Sequence, residues 1–241
     1  MTLFTDALAH ALNAYDLIID EQTLLKLEAH WRLVTEYNKK FNLTAILEEQ
    51  AALYKHYVDC LLLLPLLKKE MKNAAPFVAA DIGSGAGFPG LVLAIACPQS
   101  TWYLLEATHK KCSFLELCGK NLSLDNIHAL PQRAETAGQG SLRASFDFTA
   151  ARAIAPLTVL LEYALPLLKE RGLFIAAKGP ALSQEEEAAA TALRLLGAQA
   201  EFKQQFTLPH NEQRILACYR KISPTPAPYP RRPGLPEKRP L

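Results

Sequence analysis

The sequence has no cysteine pair at CxxC spacing and no apolar run long enough to cross a bilayer. Its five cysteines, Cys60, Cys97, Cys112, Cys118 and Cys218, are odd in number and scattered. That argues against a disulfide framework or a zinc ribbon and fits a reducing compartment; no metal is expected. The longest aliphatic run, LLLLPLL at 61–67, has seven residues, where a span needs about 20, so no membrane partner is expected. The opening MTLFTDALAH carries an acid and no basic residue ahead of its apolar positions, a poor signal peptide, and a cytoplasmic monomer is expected. A large charge of one sign is also missing, the net being +2 over 241 residues, so any polyanionic partner must be met by local patches. One such patch is the tail 224–241, which sets Arg231, Arg232, Lys238 and Arg239 against Glu237 and holds seven prolines. It reads as an extended, basic, weakly ordered arm that forms no helix.

The first third has no strand signal. Thr5 and Asp6 precede apolar positions at Leu8, Leu12 and Tyr15. Asp20 is a good N-cap for a stripe through Leu24, Leu27, Trp31, Val34 and Tyr37. A third helical stretch runs from about Glu48 to Lys69, with a break before Pro65. From residue 77 the pattern changes. Short apolar runs at 77–82, 101–105, 127–130, 146–151, 172–177, 201–206 and 214–220 alternate with helical stretches at 90–96, 110–121, 156–169 and 184–196. That alternation predicts an α/β fold with a mostly parallel seven-stranded sheet. Only LPHNEQ separates the last two runs, so they form a hairpin and one strand runs antiparallel. The expected division is a helical extension packed on the core (1–72), an α/β domain (73–223) and the tail (224–241).

The chemistry centres on DIGSGAGFPG, residues 81–90, a strand end, a glycine turn and a helix start. Gly83, Gly85 and Gly87 give a backbone that a nucleotide-like ligand can approach. The dinucleotide fingerprint fails, because Phe88 stands at its sixth position. The phosphate-loop pattern fails too, because no Gly-Lys-Ser/Thr follows. Asp81 would repel a pyrophosphate and attract a cation. S-adenosylmethionine brings an ammonium and a sulfonium and no phosphate. Glu106, at the end of the second strand, is placed to accept from ribose hydroxyls. After the third strand, Ala134-Glu135 offers an acid for the adenine amino group; a helix-capping or solvated acid is the alternative. After the fourth strand, Arg152 stands at the open end of the sheet, where ligands bind; a surface salt bridge is the alternative.

YNKKFNLTAI (37–46), KHYVDC (55–60), DIGSGAGFPG (81–90), ARAIAP (151–156), AAKGP (176–180) and PYPRRPG (228–234) occur together in that order. In this the chain resembles, nearly end to end, the bacterial small-subunit rRNA guanine-N7 methyltransferases, once called glucose-inhibited division protein B. The resemblance implies a Rossmann-like class I S-adenosylmethionine-dependent methyltransferase fold with an N-terminal helical extension. It implies methyl transfer to N7 of one guanine in 16S rRNA near the decoding region. Gly83, Phe88, Ala134, Glu135 and Arg152 are the cofactor contacts it implies. Two stretches depart from the family pattern: Glu106-Ala-Thr-His109-Lys110-Lys111 after the second strand, and Ala151-Arg152-Ala-Ile154-Ala after the fourth. The latter puts the fine shape of the base pocket in question.

Guanine N7 carries a free lone pair, so it needs positioning more than a base, and no catalytic base is assigned. Arg152, Lys178 and His56 are candidate pocket residues. No Asp/Asn-Pro-Pro-aromatic run or Pro-Cys pair follows the fourth strand, as exocyclic amine or carbon methylation would suggest. For 16S rRNA, the small subunit or an assembly intermediate, the expected contacts are Lys110, Lys111, Arg133, Arg231 and Arg232. Lys39, Lys40 and Lys55 are further candidates, each alone reading as a solvated lysine. His56 and Asp59, three apart, either order the N-terminal lobe or contact substrate. Asn38, Asn42 and Thr44 read first as turn and capping residues. Two other classes stay open: a non-catalytic RNA-binding protein on the same scaffold, and an NAD-dependent oxidoreductase, against which Asp81 and Phe88 both argue.

Overall fold

A computed structural model describes residues 2–70, 76–152 and 155–241. The expected boundary at 72/73 and the position Ile154 fall outside these residues.

Seven strands form one sheet in the order β3-β2-β1-β4-β5-β7-β6. They are β1 (Val78–Ile82), β2 (Thr101–Leu105), β3 (Ile127–Leu130), β4 (Phe146–Arg152), β5 (Leu168–Lys178), β6 (Ala198–Leu208) and β7 (Glu212–Lys221). β7 lies antiparallel between β5 and β6, and the other pairings are parallel. The sheet and its hairpin follow the expectation, but β5, β6 and β7 extend beyond their apolar cores into charged residues. Along each buried strand, successive side chains point to opposite faces. Ala79, Leu104, Leu173 and Ile175 enter one core, and Ala80, Leu105, Phe174 and Ala176 the other.

The first core is covered by the N-terminal third together with α6 (Gly90–Ala96) and α7 (His109–Asn121). That third comprises α1 (Leu3–Asn13), α2 (Glu21–Asn38), α3 (Glu49–Ala52), a π-helical turn (Leu53–Val58), α4 (Asp59–Leu61) and α5 (Leu64–Glu70). Thr2 and Thr5 form a capping box, so α1 starts before Thr5. Asp20 caps α2 through the Thr23 amide, at 2.9 Å. The third helical stretch breaks ahead of Pro65 as expected, and it also contains the π turn, which no apolar spacing announces.

The second core lies under α8 (Ala134–Gln139), α9 (Leu157–Ala164) and α10 (Leu182–Leu195). α9 ends five residues before the expected 169, because Pro166 removes a donor and β5 begins at Leu168.

The tail corrects its sequence reading. It is docked, and its prolines are interrupted by a helical turn, α11 (Leu235–Lys238). Arg143 donates to the carbonyls of Thr225 and Tyr229, both at 2.6 Å. Gln139 donates to the Pro230 carbonyl, at 2.8 Å. Arg231 forks onto Glu162, with Nε 2.9 Å from Oε1 and Nη2 2.6 Å from Oε2. Glu162 is wholly buried, so this pair is a structural anchor, and the Arg231 guanidinium expected to meet RNA is engaged in it. Arg232 is exposed.

Removing one partner of a buried pair strands the other charge. Arg231→Ala is expected to lower the unfolding free energy by about 3 kcal/mol in urea unfolding followed by circular dichroism. Arg232→Ala is expected to change it by less than about 0.5 kcal/mol. Equal small effects would show that the Glu162 pair does not hold the tail.

Candidate active site

The chain leaves β1 at Ile82 and turns through the glycine segment into α6. Gly83, Gly85 and Gly87 have φ of 68°, 56° and 98°, left-handed values that favour glycine. A Cβ on Gly87 would lie 2.8 Å from that of Leu91 and 3.3 Å from His30 Nε2. At Gly85 the nearest atom to a built Cβ is the Gly83 carbonyl at 3.9 Å, so this side of the loop faces open space.

Two carboxylates fix the loop. Glu106 Oε2 accepts from the Gly85 amide at 3.0 Å, and Oε1 from the Thr108 amide at 2.7 Å. Asp81 is wholly buried, and its Oδ2 accepts from the Gly90 amide at the start of α6, at 2.9 Å. Its Oδ1 has no hydrogen-bond partner among the described residues. Burial pushes the Asp81 carboxyl up to about 6, against the opposing pull of the Gly90 and Ser84 hydrogen bonds and the Arg152 charge.

The N-terminal helices press on the loop from the other side. His30, buried on α2, donates from Nε2 to the Ala86 carbonyl at 2.8 Å. A carbonyl only accepts, so the proton sits on Nε2 and Nδ1 receives the Tyr57 hydroxyl at 3.0 Å. Phe88 stacks on His56, with ring centroids 4.4 Å apart, and meets Tyr57 edge-on. Arg152, from the end of β4, lies 5.4 Å over the Phe88 ring. Its guanidinium donates to Asp59 Oδ2 at 3.0 Å, to the Lys55 carbonyl at 2.5 Å and to His56 Nδ1 at 3.2 Å. His56 Nε2 therefore carries the proton and donates to Thr44 Oγ1 at 2.9 Å. Asn38 braces the same turn by accepting from the amides of Leu43 and Thr44. Asn42 is exposed. Sequence reasoning missed His30 and Tyr57; their only trace is a place beside the apolar stripes of their helices.

Two clefts open along the C-terminal ends of the parallel strands, on either side of the loop. The larger, of about 460 Å³, is lined by Lys55, His56, Arg152, Lys178 and Arg214, with Asp59 and Glu212. Register explains the gathering: Arg152 pairs with Ala177 across β4 and β5, and Lys178 with Ile215 across β5 and β7. Lys178 donates to Glu185 at 2.6 Å and to the Ala155 carbonyl at 2.9 Å. The smaller cleft, of about 90 Å³, is lined by Gly83, Leu105, Ala107, Arg133, Ala134 and Glu135, with Tyr163 and Glu237 from α9 and the tail. Glu135 is buried, and its Oε1 accepts from the Gly234 amide at 2.8 Å. Lys110 and Arg133 are exposed, and Lys111 is half-buried.

With this geometry in view, the relatives are informative. The family model described as "GidB: rRNA small subunit methyltransferase G" matches residues 23–216. The chain belongs to this family. A "Ribosomal RNA small subunit methyltransferase G" of Carboxydothermus hydrogenoformans is 39% identical over 94% of this chain and 95% of its own. Proteins of the same name from Leuconostoc citreum and Streptococcus pyogenes are 37% and 40% identical, over 98% and 89% of this chain and 98% and 90% of their own. Among solved structures, a 16S rRNA (adenine-N1)-methyltransferase variant with cosubstrate SAM, from Catenulisporales acidiphilia, matches with a TM-score of 0.52 and 14% identity, over 66% of this chain and 92% of that one. A "putative sarcosine dimethylglycine methyltransferase" from Galdieria sulphuraria gives 0.54 and 12%, over 73% and 88%. These likenesses show the fold. Among the described residues, no helix is long and apolar enough to cross a membrane, and no cluster of metal-ligating side chains occurs.

Burial, and for His56 also the Arg152 charge, pushes the imidazole pKa down, to about 4 for His30 and about 3 for His56, from an ordinary 6.5. Between 6.5 and those values the unfolded chain binds more protons, so these two groups remove stability as pH falls through that window. Asp81, with its raised pKa, acts in the opposite sense between about 6 and 3.8. Long-range nitrogen–proton NMR spectra should show both rings neutral, with the proton on Nε2, down to pH about 5. A midpoint near 6.5 for either ring would overturn this picture.

Proposed function

We propose that the protein transfers a methyl group from S-adenosylmethionine to N7 of a guanine in 16S rRNA. The observation that carries this reading is the pair of clefts flanking one glycine loop. One is small, lined by Glu135 and Glu237 with Arg133, and suits a nucleoside without phosphates; the other is larger, lined by Lys55, Arg152, Lys178 and Arg214, which outnumber their partners Asp59, Glu212 and Glu185, and suits a base on a polyanion.

The residues of the smaller cleft and the loop fit the cofactor. Gly85 presents bare backbone, Glu106 holds the loop with spare lone pairs for ribose hydroxyls, and Glu135 stands where an adenine amino group would donate. Asp81, buried below, supplies negative potential beneath the loop without direct contact. The bound cofactor supplies an electrophilic methyl on a sulfonium. Phosphorylated ligands such as NAD would meet Glu106, Glu135 and Asp81 with like charge, which disfavours the oxidoreductase reading.

The larger cleft would hold a guanine with its N7 lone pair toward the methyl group, and transfer to that lone pair would expel the neutral thioether. No proton leaves, and the base ends positively charged. His56 fits this economy. Both its nitrogens are engaged, by Arg152 and Thr44, and burial keeps it neutral, so it acts as a wall and not as a base. Arg152 and Lys178 set the donor side of the cleft and Lys55 and Arg214 its rim, which matches an acceptor carrying phosphates. Arg133 stands at the edge of the smaller cleft, and Lys110, Lys111 and Arg232 extend positive charge beyond the clefts. A cytoplasmic monomer acting on the small subunit or an assembly intermediate fits this set.

Labelled methyl transfer to small-subunit RNA from a strain lacking the protein, with the base mapped, tests the reading. Label on guanine N7 supports it; label on a carbon or an exocyclic nitrogen overturns it. Within that assay, Lys178→Met is expected to raise the RNA KM or lower kcat by about tenfold or more, leaving the S-adenosylmethionine Kd within about twofold. A matching loss in cofactor affinity would place Lys178 in the other cleft.

A further inference from the structure

The smaller cleft has one wall that does not come from the α/β core. The tail crosses α8 and α9 and is tied down along its length by Arg143, Gln139 and Glu162. Its last two ties lie at the cleft itself. The Gly234 amide donates to Glu135 Oε1 at 2.8 Å, and Glu237 Oε1 accepts from the Tyr163 hydroxyl at 3.0 Å. Gly234 has φ 77°, the left-handed turn that brings its amide to Glu135 and leads into α11.

We propose that the docked tail is a working part of the cofactor site. Gly234 fixes the Glu135 carboxylate, and Glu237, steadied by Tyr163, is a positioning residue that closes the adenine end of the cleft. This rests on the methyl-transfer reading above and extends it to residues 234–237.

The chemistry supports the assignment. An adenine edge presents an amino group with two protons, and a carboxylate is a pure acceptor. Without the Gly234 amide, Glu135 would lose a buried hydrogen bond and with it a fixed orientation. A fixed acceptor binds more tightly than one that must be ordered on binding. Glu237 adds a second carboxylate to the same wall, so the pocket prefers an unphosphorylated purine nucleoside. Arg231 reaches this site only indirectly: by pairing with Glu162, the neighbour of Tyr163 in the chain, it carries the strap to the cleft.

The test uses the full-length protein, S-adenosylmethionine and S-adenosylhomocysteine. Calorimetry is run on wild type, Glu237→Ala, Glu237→Gln and a chain ending at Pro233. Carboxypeptidase release of the last residues of wild type is followed by mass spectrometry, with and without S-adenosylhomocysteine. The expected result is a loss of about five- to tenfold in affinity for Glu237→Ala, the scale of one hydrogen bond, with much of it restored in Glu237→Gln. The truncated chain should lose more, and kcat at saturating cofactor should hold within about twofold while the cofactor KM rises. The cofactor should slow release of the tail. Wild-type affinity in Glu237→Ala and in the truncated chain, with tail release indifferent to cofactor, overturns the proposal. Should the truncated chain fail to fold, Glu237→Ala and the proteolysis decide it. A wild type that binds no S-adenosylmethionine would instead sink the methyl-transfer reading.

Discussion

The glycines of the loop have no side chains with which to hold its shape. Glu106 and Asp81 hold it from the sheet side, and the N-terminal helices add one hydrogen bond and one stack: His30 onto the Ala86 carbonyl, and His56 onto the Phe88 ring. The N-terminal third is therefore a structural part of the loop. It shares one continuous core with the sheet face, and its two buried histidines meet the turn. The same stack links the two clefts. Phe88 belongs to the loop, and His56 and Arg152 belong to the larger cleft. A shift of the larger cleft's wall would be felt at the loop through one aromatic contact.

The charges obey a related economy. A buried charge is tolerated when it is paired and hydrogen-bonded. Arg152 meets that condition through Asp59, the Lys55 carbonyl and His56, which stays neutral partly because a guanidinium donates to it. Protonating His56 would set two cations within hydrogen-bond distance, a repulsion of several kcal/mol at an intermediate dielectric. The arrangement excludes an imidazolium there, and an N7 acceptor requires none. Asp81 shows the cost side: one oxygen caps α6, the other has no partner among the described residues, and its pKa rises.

The sheet and loop were legible because their signals are local. An apolar run, a glycine turn and an acid at a strand end each occupy a few consecutive residues. Glu106 and Arg152 could be placed because strands end where their apolar runs end. The tail was misread for the converse reason. Seven prolines in eighteen residues exclude helix and central strand on local grounds, and local grounds alone suggest an unanchored arm. The anchors are side-chain bonds to backbone carbonyls and carboxylates, 69 to 99 residues away in sequence for Glu162 and Glu135. No periodicity encodes them. The π turn at 53–58 escaped because its apolar spacing also fits an α-helix, although it carries Lys55, His56 and Tyr57. The end of α9 was overrun because LPLL continues the apolar character of the helix into a strand.

The topology then divides the labour. Elements on the first face of the sheet, the N-terminal helices, build the wall of the larger cleft; elements on the second face, α8, α9 and the tail, build that of the smaller one. The strands contribute mainly their ends. The N-terminal wall meets the loop between the clefts through the His30–Ala86 hydrogen bond and the His56–Phe88 stack. The fold is shared with methyltransferases of under 15% identity, and in this chain segments near its two ends shape the clefts. On the proposed reading the glycine loop defines where the chemistry takes place, and the helices ahead of it and the strap behind it set which molecules meet there.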